Sequence, residues 1–289
     1  MAKATDKRRA SNAAKAARRR VAAPAAPVDV DTPDQSPVDP TAAPDVSVSV
    51  TLICGDITKV STPVAIGARY DGLAFAGPTA SFDRALDSWL TRATDLGIIG
   101  SALGQLFLVN FEHFHKADKV KASSLILVGL GEPGRFAQDS LQLAISNIVV
   151  AVKSMGQTEF TSTLIGTRRN ELTITAAIRG LLQGVLDGQE RLRAIADTLK
   201  EDKENLRAVV AKPLSIQLVC SDGTRDTIER ELNAVIKDNP FEHLKLTVQR
   251  GPDVTGDDAM EEDSKQDGKG LPPAEPVTYL RITRTKAAA

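Results

Sequence analysis

The stretch "LICGDITKVSTPVAIGARYDGLAFAGP", residues 52–78, decides how the rest of the chain is read. With the residues before it, "VSVSVTLICGD" alternates valine with small polar residues and then turns apolar, as a strand does on entering a buried sheet. Gly55-Asp56 allows a tight turn, in which the aspartate accepts from amides ahead of it or from a ligand's polar edge. "STPVAIGARY" supplies a second strand, with Pro63 tolerated near its start. After a loop spaced by Gly72 and Gly77, "TASFDRALDSWLTRAT" sets Phe82, Leu86, Trp89 and Leu90 at helical intervals, with Thr79 or Ser81 as N-cap.

The same alternation of strand and helix continues outward. "GQLFLVNF" and "SSLILVGLG" read as strands, "FAQDSLQLAISNIVVAVKSM" as a buried amphipathic helix, and "FTSTLIGT" as a further strand. "LTITAAIRGLLQGVLDGQERLRAIADTLK" is helical, with an interruption expected near Gly188. Strands separated by helices of this length pair in parallel through right-handed crossovers, with helices on both faces. Residues 47–188 are therefore expected to form a three-layer α/β/α sandwich with a mostly parallel sheet. Residues 189–289 are read as a helical connector, a small β-α-β unit ("LSIQLVCSD", "TRDTIERELNAVIK", "HLKLTVQRG"), an acidic flexible linker (252–275) and a final strand, "VTYLRITRT". That strand is expected to pair with the β-α-β unit, because alone it buries nothing.

Composition narrows the function classes. A 289-residue chain with 42% hydrophobic residues supports a real core, and a formal charge of −1 sets up no global field for a polyanion. Charge is local instead. Residues 1–20 hold eight Lys and Arg against Asp6, and "AAPAAPVDVDTPDQSPVDPTAAP" follows, so 1–46 reads as a disordered tail. Nucleic acid is a partner only through that basic tail. No apolar run suits a bilayer crossing or a secretion signal, and the two cysteines, Cys54 and Cys220, lie in apolar strands as buried thiols suited to a reducing cytoplasm. His113, His115 and His243 lack the spacing of a zinc set, no Gly-x-Ser-x-Gly elbow occurs, and neither a metal nor a cofactor is expected.

The order "GDIT", "PVAIG", "GLAFAGP", helix, "LILVGLG", helix resembles the macro-like N-terminal domain of the leucyl aminopeptidase family, and more distantly the ADP-ribose-binding macro domains. The resemblance covers roughly residues 48–188. It implies that Asp56 and Ile57 stand where macro domains contact the adenine edge, and that two glycine loops face diphosphate and ribose. Those loops are Gly129, Gly131 and Gly134, then Gly166 with Arg168 and Arg169. Two departures matter. "IGARYDG" stands where ligand-processing macro domains carry an Asn-Ala-Ala-Asn stretch, and "LIGTRRNELT" has one glycine where a glycine-rich phosphate loop is usual. Strand-to-helix loops offer free amides to anions, yet the same glycines serve plain tight turns, so both readings stand.

Aminopeptidases of this family work through a separate C-terminal domain in which lysine and carboxylates hold two metals, and nothing here resembles it. A macro-like domain without that partner is also similar to the part found ahead of CHAT (caspase-like) peptidase domains in bacterial proteins, the catalytic half then being absent or encoded separately. The leading expectation is a non-catalytic, cytoplasmic regulatory or scaffold module with a protein partner such as a CHAT-type peptidase, self-associating as a homo-oligomer. The alternative is a nucleotide or ADP-ribose sensor. Part of a metalloaminopeptidase ranks third.

Overall fold

The structure, a computed structural model, describes residues 46–114, 119–199, 203–238, 240–241 and 243–254. The expected tail, the linker beyond Val254, the final strand and His115 lie outside the described residues. The first strand, β1 (Val46–Cys54), turns Val46, Val48, Val50 and Leu52 to one face, where all four are buried. β2 (Thr62–Arg69), β3 (Leu106–Asn110), β4 (Ala122–Gly129), β5 (Glu159–Thr163), β6 (Leu214–Cys220) and β7 (Leu244–Arg250) complete one seven-stranded sheet in the order β3-β4-β2-β5-β6-β1-β7. Every neighbouring pair is parallel except β3 against β4. The mostly parallel α/β sheet expected from the alternation of elements is what the chain forms.

The last β-α-β unit does not stand after the sandwich. Its strands β6 and β7 flank β1 in the same sheet, with Val48, Val50 and Leu52 in register with Leu214, Ile216 and Leu218. The cause lies in β1. Buried on one face along its whole length, it needs paired backbone on both edges, and β6 and β7 supply it.

Helices α3 (Gln138–Ser154), α4 (Ile174–Thr198), α5 (Lys203–Ala211) and α6 (Asp222–Asp238) cover one face and bury the larger core, which includes Ile145, Ile148, Val149, Ile178, Leu182 and Leu232. On the other face, α1 (Gly77–Ala85) and α2 (Trp89–Asp95) lie against Leu125, Leu127 and Ala65 through Phe82, Leu86 and Leu90. Over β5, β6 and β1 that same face turns polar, where Thr161 donates to Gln217 and Gln217 to Glu159.

Two local expectations change. The helix read over 79–94 breaks at Asp87 and Ser88, both in the left-handed region, because Asp83 takes the Thr91 N–H at 3.0 Å and its hydroxyl at 2.5 Å and so starts α2 afresh. Thr79 is no N-cap: its hydroxyl donates to the carbonyl of Ala68 and accepts the Ala68 N–H, tying α1 to the end of β2, and Pro78 opens the helix instead. α4, conversely, runs through Gly188 without a break. Gly180, Gly184 and Gly188 form the seam against α3, and a Cβ at Gly184 would stand 2.6 Å from the Gln142 carbonyl oxygen. Close helix approach, and not an interruption, is what those glycines serve.

Candidate functional site

The chain leaves β2 toward α1 and β5 toward α4, on opposite sides, so a crevice opens between their carboxyl ends, where open α/β sheets collect ligands. Three segments line it. Tyr70, just after β2, sets its ring edge-on against Phe136 with centroids 5.9 Å apart. Gly134 comes from the loop after β4. The turn after β5 folds back on itself at Gly166, whose φ of +88° and position 2.7 Å (from a notional Cβ) from Leu172 Cδ1 admit no other residue without strain. The Gly166 carbonyl accepts the Leu172 N–H at 3.1 Å, and the residues between include Arg168, Arg169 and Asn170, all exposed.

That fold of the turn aims Glu171 inward. One carboxylate oxygen accepts the Gly134 N–H at 2.8 Å, and the other accepts the Tyr70 hydroxyl. Burial first, then the hydrogen bond to Glu171 and its charge, push the Tyr70 hydroxyl well above the usual tyrosine range, with the charge of Arg169 acting the other way. The guanidinium of Arg168 lies over Gly77 at the start of α1, so close that a Cβ there would meet Nη1 at 1.8 Å. A backbone amide of the kind a phosphate oxygen uses is thus bound by the protein's own carboxylate.

The other expected ligand residues are placed apart from this crevice or are taken up by the fold. Asp56 accepts the Thr58 N–H at 2.9 Å and the Thr58 hydroxyl at 2.8 Å, capping a 3-10 turn over Ile57–Lys59, and β5 and β6 stand between its strand and β2. Ile57 is 2% exposed within the smaller core. Gly129 and Gly131 are knitted into residues 101–105: Gly129 donates to the Gln105 carbonyl and accepts from Gly104, and Gly131 donates to Ser101. Gly134, Gly166, Arg168 and Arg169 are the expected residues that the structure does bring together. Glu171 was missed, since a lone acid in "RRNELT" carries no spacing signal.

Two other places hold chemistry. Arg69, at the end of β2, is 8% exposed, donates to Thr94 Oγ1 at 2.8 Å and the Ile99 carbonyl at 3.1 Å, and lies over the Phe75 ring. Burial, aided by a hydrogen bond with Asp222 and by Cys220, pushes the Cys54 thiol up to about 12, so it holds its proton at neutral pH and is no ready nucleophile. His243 is exposed. Among the described residues no helix is long and apolar enough to cross a membrane.

Residues 67–193 match the model of the cytosol aminopeptidase family, N-terminal domain. The matched stretch begins within β2, after the Gly55-Asp56 turn, and ends within α4. Among solved structures, the chain is similar to the Oceanobacillus iheyensis macrodomain with MES bound, at 14% identity and a TM-score of 0.46, over 65% of this chain and 92% of that one. It is also similar to the macrodomain of Thermus aquaticus DarG (9%, TM-score 0.41, 60% and 99%). A third likeness is to the Trypanosoma brucei macrodomain in complex with ADP (14%, TM-score 0.45, 63% and 68%). No curated protein matches the sequence. The resemblance to the aminopeptidase N-terminal domain holds over residues 67–193.

Proposed function

Taking residues 67–193 as a domain of the cytosol aminopeptidase N-terminal type, we propose that this protein is a non-catalytic, cytoplasmic scaffold or regulatory module that serves a peptidase or another effector and associates with itself. The observation that carries this reading is Glu171 in the crevice, with its carboxylate on the Gly134 amide and the Tyr70 hydroxyl. A groove that binds its own acid is built to stay closed to phosphates. Support for a protein partner comes from the edge strand β3 and the residues before it, where Leu96 is 76%, Ile98 55% and Leu108 51% exposed.

The nucleotide-sensor reading is favoured by one observation, the gathering of Gly134, Arg168 and Arg169 at that same crevice. Calorimetric titration with ADP-ribose separates the two. The scaffold reading expects no heat from the wild type at millimolar ligand. Micromolar binding by the wild type that Arg168→Ala weakens would replace it with the sensor. Light scattering tests self-association: an oligomer that Leu108→Lys dissociates supports it, and a wild-type monomer at all concentrations removes that part of the proposal.

A further inference from the structure

At the carboxyl edge of the other half of the sheet, a second group of side chains converges that plays no part in the crevice. Cys54 and Cys220 end β1 and β6 as partners in register, and their sulfurs stand 3.8 Å apart. Both project toward the layer of α6, whose first residue is Asp222. The segment after β7 brings in Asp253, fixed by its neighbour: the Val254 N–H donates to the Cys54 carbonyl at 2.7 Å, and the Val254 carbonyl accepts from Asp56 at 3.2 Å. One donor atom from each of Cys54, Asp222 and Asp253 lies within 4.8 Å of the others.

We propose that Cys54, Asp222 and Asp253, joined by Cys220 through a shift of its side chain, form a binding site for a thiophilic divalent cation, zinc above all, with two sulfur and two oxygen ligands. In a tetrahedral site the ligand–ligand edge is about 1.63 times the bond length, so two thiolates at about 2.3 Å from zinc stand about 3.8 Å apart. The sulfurs already have that separation. A disulfide needs about 2.05 Å and would draw them together. Two thiols in plain contact also sit near this spacing. What simple packing does not require is the convergence of two carboxylates on Cys54, the sulfur that Cys220 touches.

Arg225 fits the same scheme. It donates to Asp253 Oδ1 at 2.5 Å and lies 3.7 Å from Asp222 Oδ1, so its charge balances both acids from outside. Binding exchanges protons for metal: the cation joins two thiols and two carboxylates, and two protons leave to solvent. With four protein ligands and no open position, the site is structural. It fastens β1, the start of α6 and the chain after β7 to one another, where the hydrogen bonds of Val254 join only β1 and the chain after β7.

The test is titration of the reduced, chelator-stripped full chain with cobalt(II), followed by competition with zinc. One equivalent should bind with a thiolate-to-cobalt charge-transfer band and tetrahedral visible absorption, and zinc should abolish both. Asp222→Asn and Asp253→Asn alter side chains that are 83% and 55% exposed, so folding is spared, and each should weaken cobalt binding at least tenfold. Absence of a charge-transfer band in the folded wild type overturns the proposal, as does a band that neither asparagine variant affects. Oxidation of the two cysteines to a disulfide, with no metal held after reduction, overturns it equally.

Discussion

Replacing Lys153 by methionine should remove a pH dependence of stability whose size follows from the structure. Lys153 sits on α3 at 1% exposure and donates from Nζ to the carbonyls of Val209 at 3.0 Å and Lys212 at 2.5 Å, closing the end of α5. Burial first, and the charge of Lys212 second, lower its pKa from 10.5 to about 8. A base whose folded pKa lies below its unfolded one binds fewer protons when folded across that window, so stability rises with pH there. Below pH 8 the cost of the buried charge is fully present, about 3.5 kcal/mol at about 1.4 kcal/mol per pH unit, and it is gone above the unfolded value. Urea unfolding of the wild type and of Lys153→Met at pH 7 and pH 10 isolates this group, because other titrations appear in both proteins. The difference in unfolding free energy should move by about 2.5 kcal/mol in favour of the wild type between the two pH values. Two proteins whose stabilities track each other to within about 0.5 kcal/mol across that range would refute the reasoning.

Three further substitutions bear on the architecture. Gly184→Val places side-chain atoms where a Cβ alone stands 2.6 Å from the Gln142 carbonyl and 2.7 Å from Ile145 Cβ, so the α3–α4 seam must part at a cost of about 1–3 kcal/mol, read as a lower urea midpoint. Phe82→Ala empties a fully buried position that stacks on Phe111 at 6.2 Å between centroids and should cost about 3–5 kcal/mol by the same measurement. Asp56→Ala deletes the cap on the 3-10 turn and should cost about 1 kcal/mol, and calorimetry with ADP-ribose should not distinguish it from the wild type.

The parallel sheet was legible because its strands are short apolar runs rich in valine and isoleucine, each bounded by glycine, proline or charge, and separated by helices long enough to cross over. Strand neighbours were not legible. Nothing in "LSIQLVCSD" says that it enters beside β1 and leaves "FTSTLIGT" on its other side, because a strand apolar on one face fits several partners equally. The break at Asp87 and Ser88 was hidden for a similar reason. The apolar spacing of Phe82, Leu86, Trp89 and Leu90 stays helical in register while the backbone leaves the helix, and only Asp83 bonding to Thr91 reveals it. At the crevice, glycines marked the loops correctly, but which of them faced open space depended on long-range contacts. Residues 101–105 cover Gly129 and Gly131, and no local pattern announces that.

The same contrast decides what the crevice does with an anion. For a diphosphate to take the Gly134 amide, Glu171 must give up that bond and the one from Tyr70. Hydrogen bonds to a charged group contribute about 1.5–3 kcal/mol each, so the displacement alone costs about 3–6 kcal/mol. If the carboxylate instead stays within about 4 Å of the phosphate, each pair of like charges adds about 4 kcal/mol of repulsion at an effective dielectric near 20. Either route removes at least two powers of ten from the affinity that the same loops would give with a neutral residue at 171. Arg168 and Arg169 offset only part of this, because both are exposed and water weakens their attraction. Glu171→Gln keeps the shape and removes the charge. If the closed crevice is electrostatic in origin, calorimetry should show ADP-ribose affinity rising at least tenfold in that variant, and unchanged silence would place the obstruction in the backbone of residues 166–172 instead.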